Sequence, residues 1–280
     1  MATISAADVK ALRDKTGLPM MDCKAALVEA GGDHEKATEI LRKKGAAAAE
    51  RKADRETAEG RIGCYLDQQQ GVGALVELRC ETAPVAKNEG FIALANELAK
   101  SVALADTPPD VETLLSQPLA DEPAKTIRDR INDTVNILRE NMALARAARL
   151  EGTLASYVHH NGQVGVLTQF QADQLDPQLA ADICMQIAAM SPLAVSRDRI
   201  DPELVKKELE IARDQAAQTG KPEQILDKIA QGKLNKWYAT CVLLEQPFVR
   251  EDKKTVEQVL KAAGGVVVKD FARLQVGLVA

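Results

Sequence analysis

The sequence predicts an α+β protein that is divided into more than one compact unit. Two short segments rich in β-forming residues recur 92 positions apart, and each copy precedes an alanine- and leucine-rich segment with helical periodicity. The chain has 280 residues, which is more than one small core accommodates. Its hydrophobic content of 46% is ordinary for a folded globular protein. These observations favour a duplicated α+β core with additional helical segments.

The N-terminal segment, residues 1–56, is predicted to form a three-helix module and a linker. Ser5 and Asp8 have the spacing of a capping box, and Gly17 can end the first helix. Pro19 can open the second helix at its first turn, and Asp33 can cap the third. We expect the third helix to end at residues 43–45 and residues 46–59 to form a helical or partly mobile linker.

The internal repeat occupies the middle of the chain. Six pairs coincide without a gap at the offset of 92, namely Glu59/Glu151, Gly60/Gly152, Tyr65/Tyr157, Val72/Val164, Gly73/Gly165 and Leu75/Leu167. Each copy predicts a β-hairpin around a polar turn, at residues 68–71 and at residues 159–163. A helix is expected after each hairpin, at residues 91–104 and 177–190. The repeat therefore predicts two related subdomains, residues 57–149 and 150–280.

Further helices are predicted between and after the two copies. Apolar residues at helical spacing favour one long helix over residues 126–149. Residues 202–236 form an insertion in the second copy, with helical patterns at 202–218 and 222–236 and a bend at Gly220-Lys221-Pro222. Two such arms of about 22 Å each predict an antiparallel helical hairpin, or coiled coil. A strand at 238–244, a helix opened by Thr255 and a strand at 266–276 complete the prediction.

Composition argues against several classes of partner. The formal net charge is −5, and phosphate recognition requires clustered Lys and Arg, so we expect no direct contact with nucleic acid. No apolar run approaches the roughly 20 residues that span a bilayer, so no membrane association is expected. The five cysteines are scattered, which is typical of reduced thiols in a cytoplasmic protein. The N-terminus has neither a secretory nor a transit pattern.

Residues that could support catalysis are sparse. Only three histidines are present, and His159-His160 lies in a predicted turn without cysteines at ligand spacing, so no metal site is expected. The sequence has no phosphate-binding P-loop or dinucleotide fingerprint, so no cofactor is expected either. We predict that the protein is not an enzyme. A thiol-dependent enzyme that uses Cys64 or Cys80 with His159 is the alternative that these residue types leave open.

The most informative surface candidate is a pair of adjacent methionines, Met20 and Met21. Neighbouring residues on a helix point about 100° apart, so at most one of them suits the core. An exposed methionine beside Lys10 and Arg13 is suited to contact a partner protein, because thioethers adapt to irregular surfaces. The alternative is that both methionines merely cap a small core.

Several motifs resemble the elongation factor Ts family. They are Leu-Arg-x-x-Thr-Gly from Leu12, Met-Met-Asp-Cys-Lys-x-Ala-Leu from Met20, the run of residues 77–88, Tyr157-Val158-His159, Gly220-Lys221-Pro222 and Gln246-Pro247-Phe248-Val249. Their order and spacing match as well as their residues, over nearly the whole chain. The resemblance implies a ubiquitin-associated-like N-terminal module, a duplicated core and a projecting helical hairpin.

The resemblance also implies a function and its residues. Members of this family are guanine-nucleotide exchange factors of elongation factor Tu, a GTPase that they meet both GDP-bound and nucleotide-free. The resemblance implies that Lys10, Arg13, Met20 and Met21 face the GTPase domain and that His159 lies against it. Thr82, Ala83, Pro84 and Val85 match the motif that displaces the magnesium of the GTPase, usually Thr-Asp-Phe-Val.

This last motif departs from the family pattern. The acidic residue is replaced by Ala83, the aromatic residue by Pro84, and a nearby asparagine by Arg79. A phenylalanine can bury roughly 150–250 Å² in a partner, and proline offers much less surface. The departure leaves an alternative function open, in which the protein binds and sequesters the GTPase with weakened nucleotide exchange.

Overall fold

The computed structural model describes residues 4–105, 110–172, 174–218 and 222–278. The described helices are α1 (Ala6–Thr16), α2 (Met20–Glu29), α3 (His34–Glu50), α4 (Ala83–Ala86), α5 (Glu89–Ala103), α6 (Val111–Leu115), α7 (Ile127–Leu138), α8 (Pro177–Met190), α9 (Pro202–Ala217), α10 (Glu223–Cys241) and α11 (Val256–Ala262). The strands are β1 (Glu59–Asp67), β2 (Val72–Cys80), β3 (Met142–Glu151), β4 (Thr153–Val158), β5 (Val164–Gln171), β6 (Pro247–Phe248), β7 (Glu251–Thr255) and β8 (Val267–Gln275). The α+β class is confirmed.

The three N-terminal helices begin and end at local sequence signals. Ser5 and Asp8 form a reciprocal capping box at the start of α1, and Gly17 ends α1 in the left-handed conformation with φ 67°. The Asp33 carboxylate accepts hydrogen bonds from two backbone amides in the first turn of α3. Side chains from all three helices form one small core around Leu12 and Leu27.

The third helix is longer than predicted. It continues through Gly45 to Glu50, so the expected end at residues 43–45 is wrong. A Cβ atom at Gly45 would lie 2.3 Å from Nδ2 of Asn136 on α7, so this glycine allows the two helices to pack closely. The contact with α7 explains why a glycine that resembles a helix end lies inside a helix. The linker prediction holds in part, because only residues 51–58 lie outside regular structure.

The core contains two three-stranded antiparallel sheets, ordered β1-β2-β3 and β4-β5-β8. The predicted hairpins are present as β1–β2 and β4–β5, and helices α5 and α8 pack on the first and second sheet. In each sheet the pairing of the central strand with the third strand shifts register, between Glu77 and Leu78 of β2 and between Gln169 and Phe170 of β5. These positions are also 92 residues apart, so the repeat extends to a detail of the backbone.

The two sheets pack against each other through a shared apolar cluster. Its buried members are Ile62, Leu75, Leu154, Leu167 and Leu274. The repeated glycines make this contact possible from both sides. A Cβ atom at Gly73 would lie 3.1 Å from Cδ1 of Leu167, and one at Gly165 would lie 2.4 Å from Cγ2 of Ile62. Each copy therefore uses its glycine to admit a side chain of the other copy.

The predicted long helix over residues 126–149 is wrong. Helix α7 ends at Leu138, Arg139 adopts the left-handed conformation with φ 66°, and the chain returns as β3 along β2. Met142 and Leu144 point to the core at alternate positions of this strand. Alanine, leucine and arginine favour a helix locally, but the edge of β2 supplies backbone hydrogen bonds that only a strand can use.

The predicted strand at residues 238–244 is also wrong. Helix α10 continues to Cys241, and a short 3-10 turn, Leu243–Glu245, follows it. Leu234, Tyr238 and Cys241 are spaced by four and three residues, so they share one helical face that packs in a buried cluster. The final predicted helix and strand are present as α11, with the expected capping box at Thr255, and β8.

The insertion consists of α9 and α10, which pack along each other. Arg213 of α9 pairs with Asp227 of α10 at 3.3 Å, and Lys233 donates a hydrogen bond to Gln215. The predicted bend at Gly220-Lys221 lies outside the described residues. None of the described helices combines the length and the apolar character that crossing a bilayer requires.

Candidate functional site

Helix α2 leaves three large apolar side chains exposed. Met20 is 50% exposed, Met21 is 72% exposed, and Val28 is 61% exposed. The alternative that both methionines cap a small core is therefore wrong. Pro19 starts the helix so that Cys23 and Leu27 take the core positions, and both methionines stand in the first turn outside the core. The module thus presents an apolar surface to solvent.

The predicted cations lie on the neighbouring helix. Lys10 and Arg13 are exposed on α1, which packs against α2 in the N-terminal core. The guanidinium of Arg13 lies 4.0 Å from the carboxylate of Asp14, and this exposed pair contributes little to stability. Both cations therefore remain accessible to a partner.

The 82–85 motif starts a single helical turn at the end of β2. Thr82 precedes α4, and its side chain does not cap that helix. Instead, its backbone N–H and its hydroxyl donate hydrogen bonds of 3.0 Å and 2.5 Å to the two carboxylate oxygens of Glu140. Pro84 is exposed, whereas Val85 packs partly against the first core. The motif thus presents an exposed threonine and an exposed proline, with Ala83 and Val85 partly buried.

Arg79, the added cation near this motif, is engaged within the chain. Its Nε lies 3.6 Å from Oε1 of Glu77, a buried carboxylate that is only 2% exposed. Glu77 also accepts a hydrogen bond of 2.6 Å from Arg146 and one of 2.9 Å from the backbone of Gly277. Arg79 therefore belongs to a charge network that fastens the C-terminal segment to the first sheet.

His159 lies in the second hairpin turn, at the rim of a groove. Its Nδ1 is 2.9 Å from the hydroxyl of Tyr157, and its ring centroid is 4.2 Å from that of His160. The groove has a volume of about 510 Å³ and is lined by Tyr157, His159, Val164, Met185, Ala188, Ala189, Val249 and Arg250. Sequence reasoning missed Met185 and Arg250, because α8 and the loop after β6 meet this turn only in the folded chain.

The structure brings some of the predicted residues together and leaves others apart. Lys10, Arg13, Met20 and Met21 share the N-terminal module. The 82–85 motif is bonded to Glu140, and no sequence signal identified that residue because 58 positions separate it from Thr82. Among the residues that the structure describes, no hydrogen bond joins His159 to the motif. The candidates therefore form separate patches.

The candidate thiols are poorly suited to nucleophilic chemistry. Burial, together with the neighbouring carboxylate of Glu140, raises the pKa of the Cys80 thiol to about 12. Burial also raises the pKa of Cys64. A thiol with a raised pKa stays protonated near neutral pH and is a weak nucleophile. The described residues include no group of three or more His, Cys, Asp or Glu that could hold a metal ion.

Comparison with known proteins identifies the family. A family model described as "Elongation factor TS" matches residues 81–278. Three similar relatives bear the name elongation factor Ts. That of Aquifex aeolicus is 47% identical over 98% of this chain and 98% of its own, and that of Ralstonia nicotianae is 45% identical over 99% and 91%. That of Chlorobaculum parvum is 43% identical over 99% and 100%. The chain belongs to the elongation factor Ts family.

Proposed function

We propose that this protein is a guanine-nucleotide exchange factor that binds elongation factor Tu and promotes the release of GDP during translation elongation. The observation that carries the proposal is the match to elongation factor Ts over 98% of both chains. The exposed methionines of α2, beside the cations of α1, support it as a surface suited to a protein partner. The proposed site of action is the cytoplasm, without contact to nucleic acid or membrane.

The proposed mechanism is differential binding and involves no bond chemistry in this chain. The factor must prefer the nucleotide-free GTPase, and by reciprocity GDP weakens the binding of the factor by the same ratio. A 10⁴-fold decrease in the affinity of the GTPase for GDP requires that the factor bind the nucleotide-free GTPase more tightly than the GDP-bound form by about 5.5 kcal/mol. Contact of the 82–85 motif near the bound magnesium would lower the affinity of the GTPase for GDP, because that ion is the largest local charge that holds the phosphates. On this proposal the protein is not an enzyme.

We also propose a domain organisation in which different parts of the chain have different roles. Residues 1–56 form a ubiquitin-associated-like module that contacts the GTPase domain, and residues 57–149 and 150–280 form the two core subdomains. The separate apolar cores of the module and of each sheet with its helix support this division. The helical hairpin at 202–236 extends from the second subdomain.

The proposal is tested by nucleotide release. Elongation factor Tu is loaded with a fluorescent GDP analogue, and the protein is added with an excess of unlabelled GDP. We expect accelerated release, and unchanged release would reject the proposal. Met21→Ser should weaken the apparent affinity about tenfold, as truncation of a central interface side chain does. Val267→Ser is the control, because Val267 is also an exposed apolar side chain and lies on β8, outside the N-terminal module.

The exposed Pro84 favours a second candidate function, sequestration of the GTPase without efficient release. This function predicts a stable complex with an unchanged GDP off-rate. The double variant Ala83→Asp/Pro84→Phe restores the family motif and should then raise the release rate. A rate that stays flat in this variant, despite complex formation, would argue that the motif does not act as a wedge.

A further inference from the structure

The turn between α7 and β3, residues 139–141, contacts three segments that are distant in sequence. Arg139 adopts a left-handed conformation, and its guanidinium donates a hydrogen bond to the carboxylate of Asp22 on α2. Asp22 follows directly after the exposed pair Met20 and Met21. The first residue of the turn is therefore bonded to the helix that presents the methionine surface.

The second residue of the turn takes part in a reciprocal clasp. Glu140 accepts hydrogen bonds from the backbone N–H and the hydroxyl of Thr82. In return, the carboxylate of Glu81 accepts a hydrogen bond of 2.6 Å from the backbone N–H of Asn141. Each segment thus supplies a carboxylate to the backbone of the other. Hydrogen bonds to an ionised acceptor are stronger and more directional than neutral ones, so the clasp fixes the start of the 82–85 motif.

The third residue of the turn holds the linker. Asn141 is only 7% exposed, and its side-chain amide donates hydrogen bonds of 3.2 Å and 2.8 Å to the backbone carbonyls of Ala53 and Arg55. The amide satisfies two carbonyls that regular structure does not use. The chain between the N-terminal module and β1 is thereby fastened beside the motif.

We propose that the 139–141 turn is a positioning element that holds the 82–85 motif in a fixed arrangement with the methionine surface of α2, and that Glu140 is the positioning residue for the motif. This inference rests on the proposed function, since it assumes that both surfaces bind one GTPase. Two surfaces that engage one partner at once gain from a fixed separation, because the second contact then needs no further ordering. A motif released from Glu140 would have to be ordered during binding.

The positioning of the 82–85 motif by Glu140 is tested with Glu140→Ala and Glu140→Gln. Hydrogen–deuterium exchange measures protection of the backbone amides at residues 82–88. We expect faster exchange in Glu140→Ala, and partial retention of protection in Glu140→Gln, because the amide oxygen still accepts from Thr82. The matched control is Glu257→Ala, which removes an exposed glutamate that pairs with Lys261 on α11. Unchanged exchange in Glu140→Ala would overturn the inference.

The contact of Asn141 with the linker is tested in parallel with Asn141→Ala, which leaves the hydrogen bond from the backbone N–H of residue 141 to Glu81 in place. We expect faster exchange of residues 51–57 and little change at residues 82–88. Loss of protection at both segments in both variants would contradict separate roles for Glu140 and Asn141 and would indicate that the variants destabilise the whole region. A thermal melt of each variant identifies such destabilisation independently of nucleotide release.

Nucleotide release then distinguishes the two levels of the proposal. Glu140→Ala should lower the maximal release rate about tenfold, the loss expected when a hydrogen bond to a charged group disappears, with a much smaller change in the half-saturating concentration. Faster hydrogen–deuterium exchange in Glu140→Ala without any change in the maximal rate of nucleotide release would overturn the functional role of Glu140. If the unmodified protein stimulates no release, the proposed function fails, and the exchange data alone decide whether the turn positions the motif.

Discussion

The two copies of the repeat share a backbone but differ in the origin of their third strand. In the first copy, β3 follows α7 directly and completes the sheet within residues 59–151. In the second copy, β8 completes the sheet only after the α9–α10 hairpin and α11 have been passed. Both third strands pair antiparallel with the central strand, past an irregularity at equivalent positions.

The difference shows where this fold accepts additional structure. The central strands have nine and eight residues and the helices that follow them have 15 and 14, so these parts of the two copies are similar in length. The connection from the helix to the third strand contains α6 and α7 in the first copy and α9, α10 and α11 in the second, so the copies differ most in this connection. The first copy carries the motif and the docked N-terminal module, and the second carries the helical hairpin.

The largest predicted effect concerns the contact that the two copies share. Ile62 and Leu154 are equivalent residues, and both are 1% exposed in the cluster between the sheets. Ile62→Ala and Leu154→Ala should each lower the free energy of unfolding by about 3–4 kcal/mol. Urea denaturation measures both losses, and the double variant should lose less than their sum. A large loss at only one position would show that the copies contribute unequally.

A second prediction concerns the closer packing of strand on helix in the first copy. A Cβ atom at Gly63 would lie 2.1 Å from the backbone oxygen of Ala95 on α5, whereas the equivalent position in the second copy is Ala155. Gly63→Ala should therefore destabilise the protein by about 3 kcal/mol through overpacking. Ala155→Gly is the control and should cost about 1 kcal/mol. Equal losses in thermal melts would remove this distinction between the copies.

A third prediction concerns charge, because Glu77 is buried and its equivalent, Gln169, is neutral. Glu77→Gln makes the copies alike and leaves the guanidinium of Arg146, which is 25% exposed, without its ion pair. We expect a loss of about 2 kcal/mol in unfolding free energy, which is less than the roughly 3–5 kcal/mol of a fully buried pair because solvent reaches Arg146. The double variant Glu77→Gln/Arg146→Gln should regain part of the lost unfolding free energy. No recovery would argue that the broken ion pair between Glu77 and Arg146 is not the cause of the loss.

The smallest predicted effect is a dependence on alkaline pH. The pKa of Cys80 is about 12 in the folded protein, compared with 9.0 for a free thiol, and its equivalent is Ala172. Because the folded value is raised, the thiol's stabilising contribution is complete below pH 9 and is lost as the pH rises from 9 to 12. Between pH 8 and 10 the unmodified protein should lose about 1 kcal/mol more than Cys80→Ala. Parallel curves would contradict the raised pKa.

The sequence by itself determined the repeat, the capped helices and the family. These features depend on local signals, namely the capping pairs at Ser5 and Thr255 and the apolar and glycine positions that recur at the offset of 92. Local signals hold wherever the segment lies in the fold. The exposed surface at Met21 was predicted for the same reason, since a helix cannot bury two adjacent side chains in one small core.

Only the tertiary structure decided the remaining features. Residues 142–151 have helical propensity and form β3, because the edge of β2 offers backbone partners. Gly45 lies inside α3 because Asn136 approaches it, and Glu140 holds Thr82 across 58 positions of sequence. In each case the deciding partner is distant in the chain, so its contribution to the free energy exists only once the chain has folded.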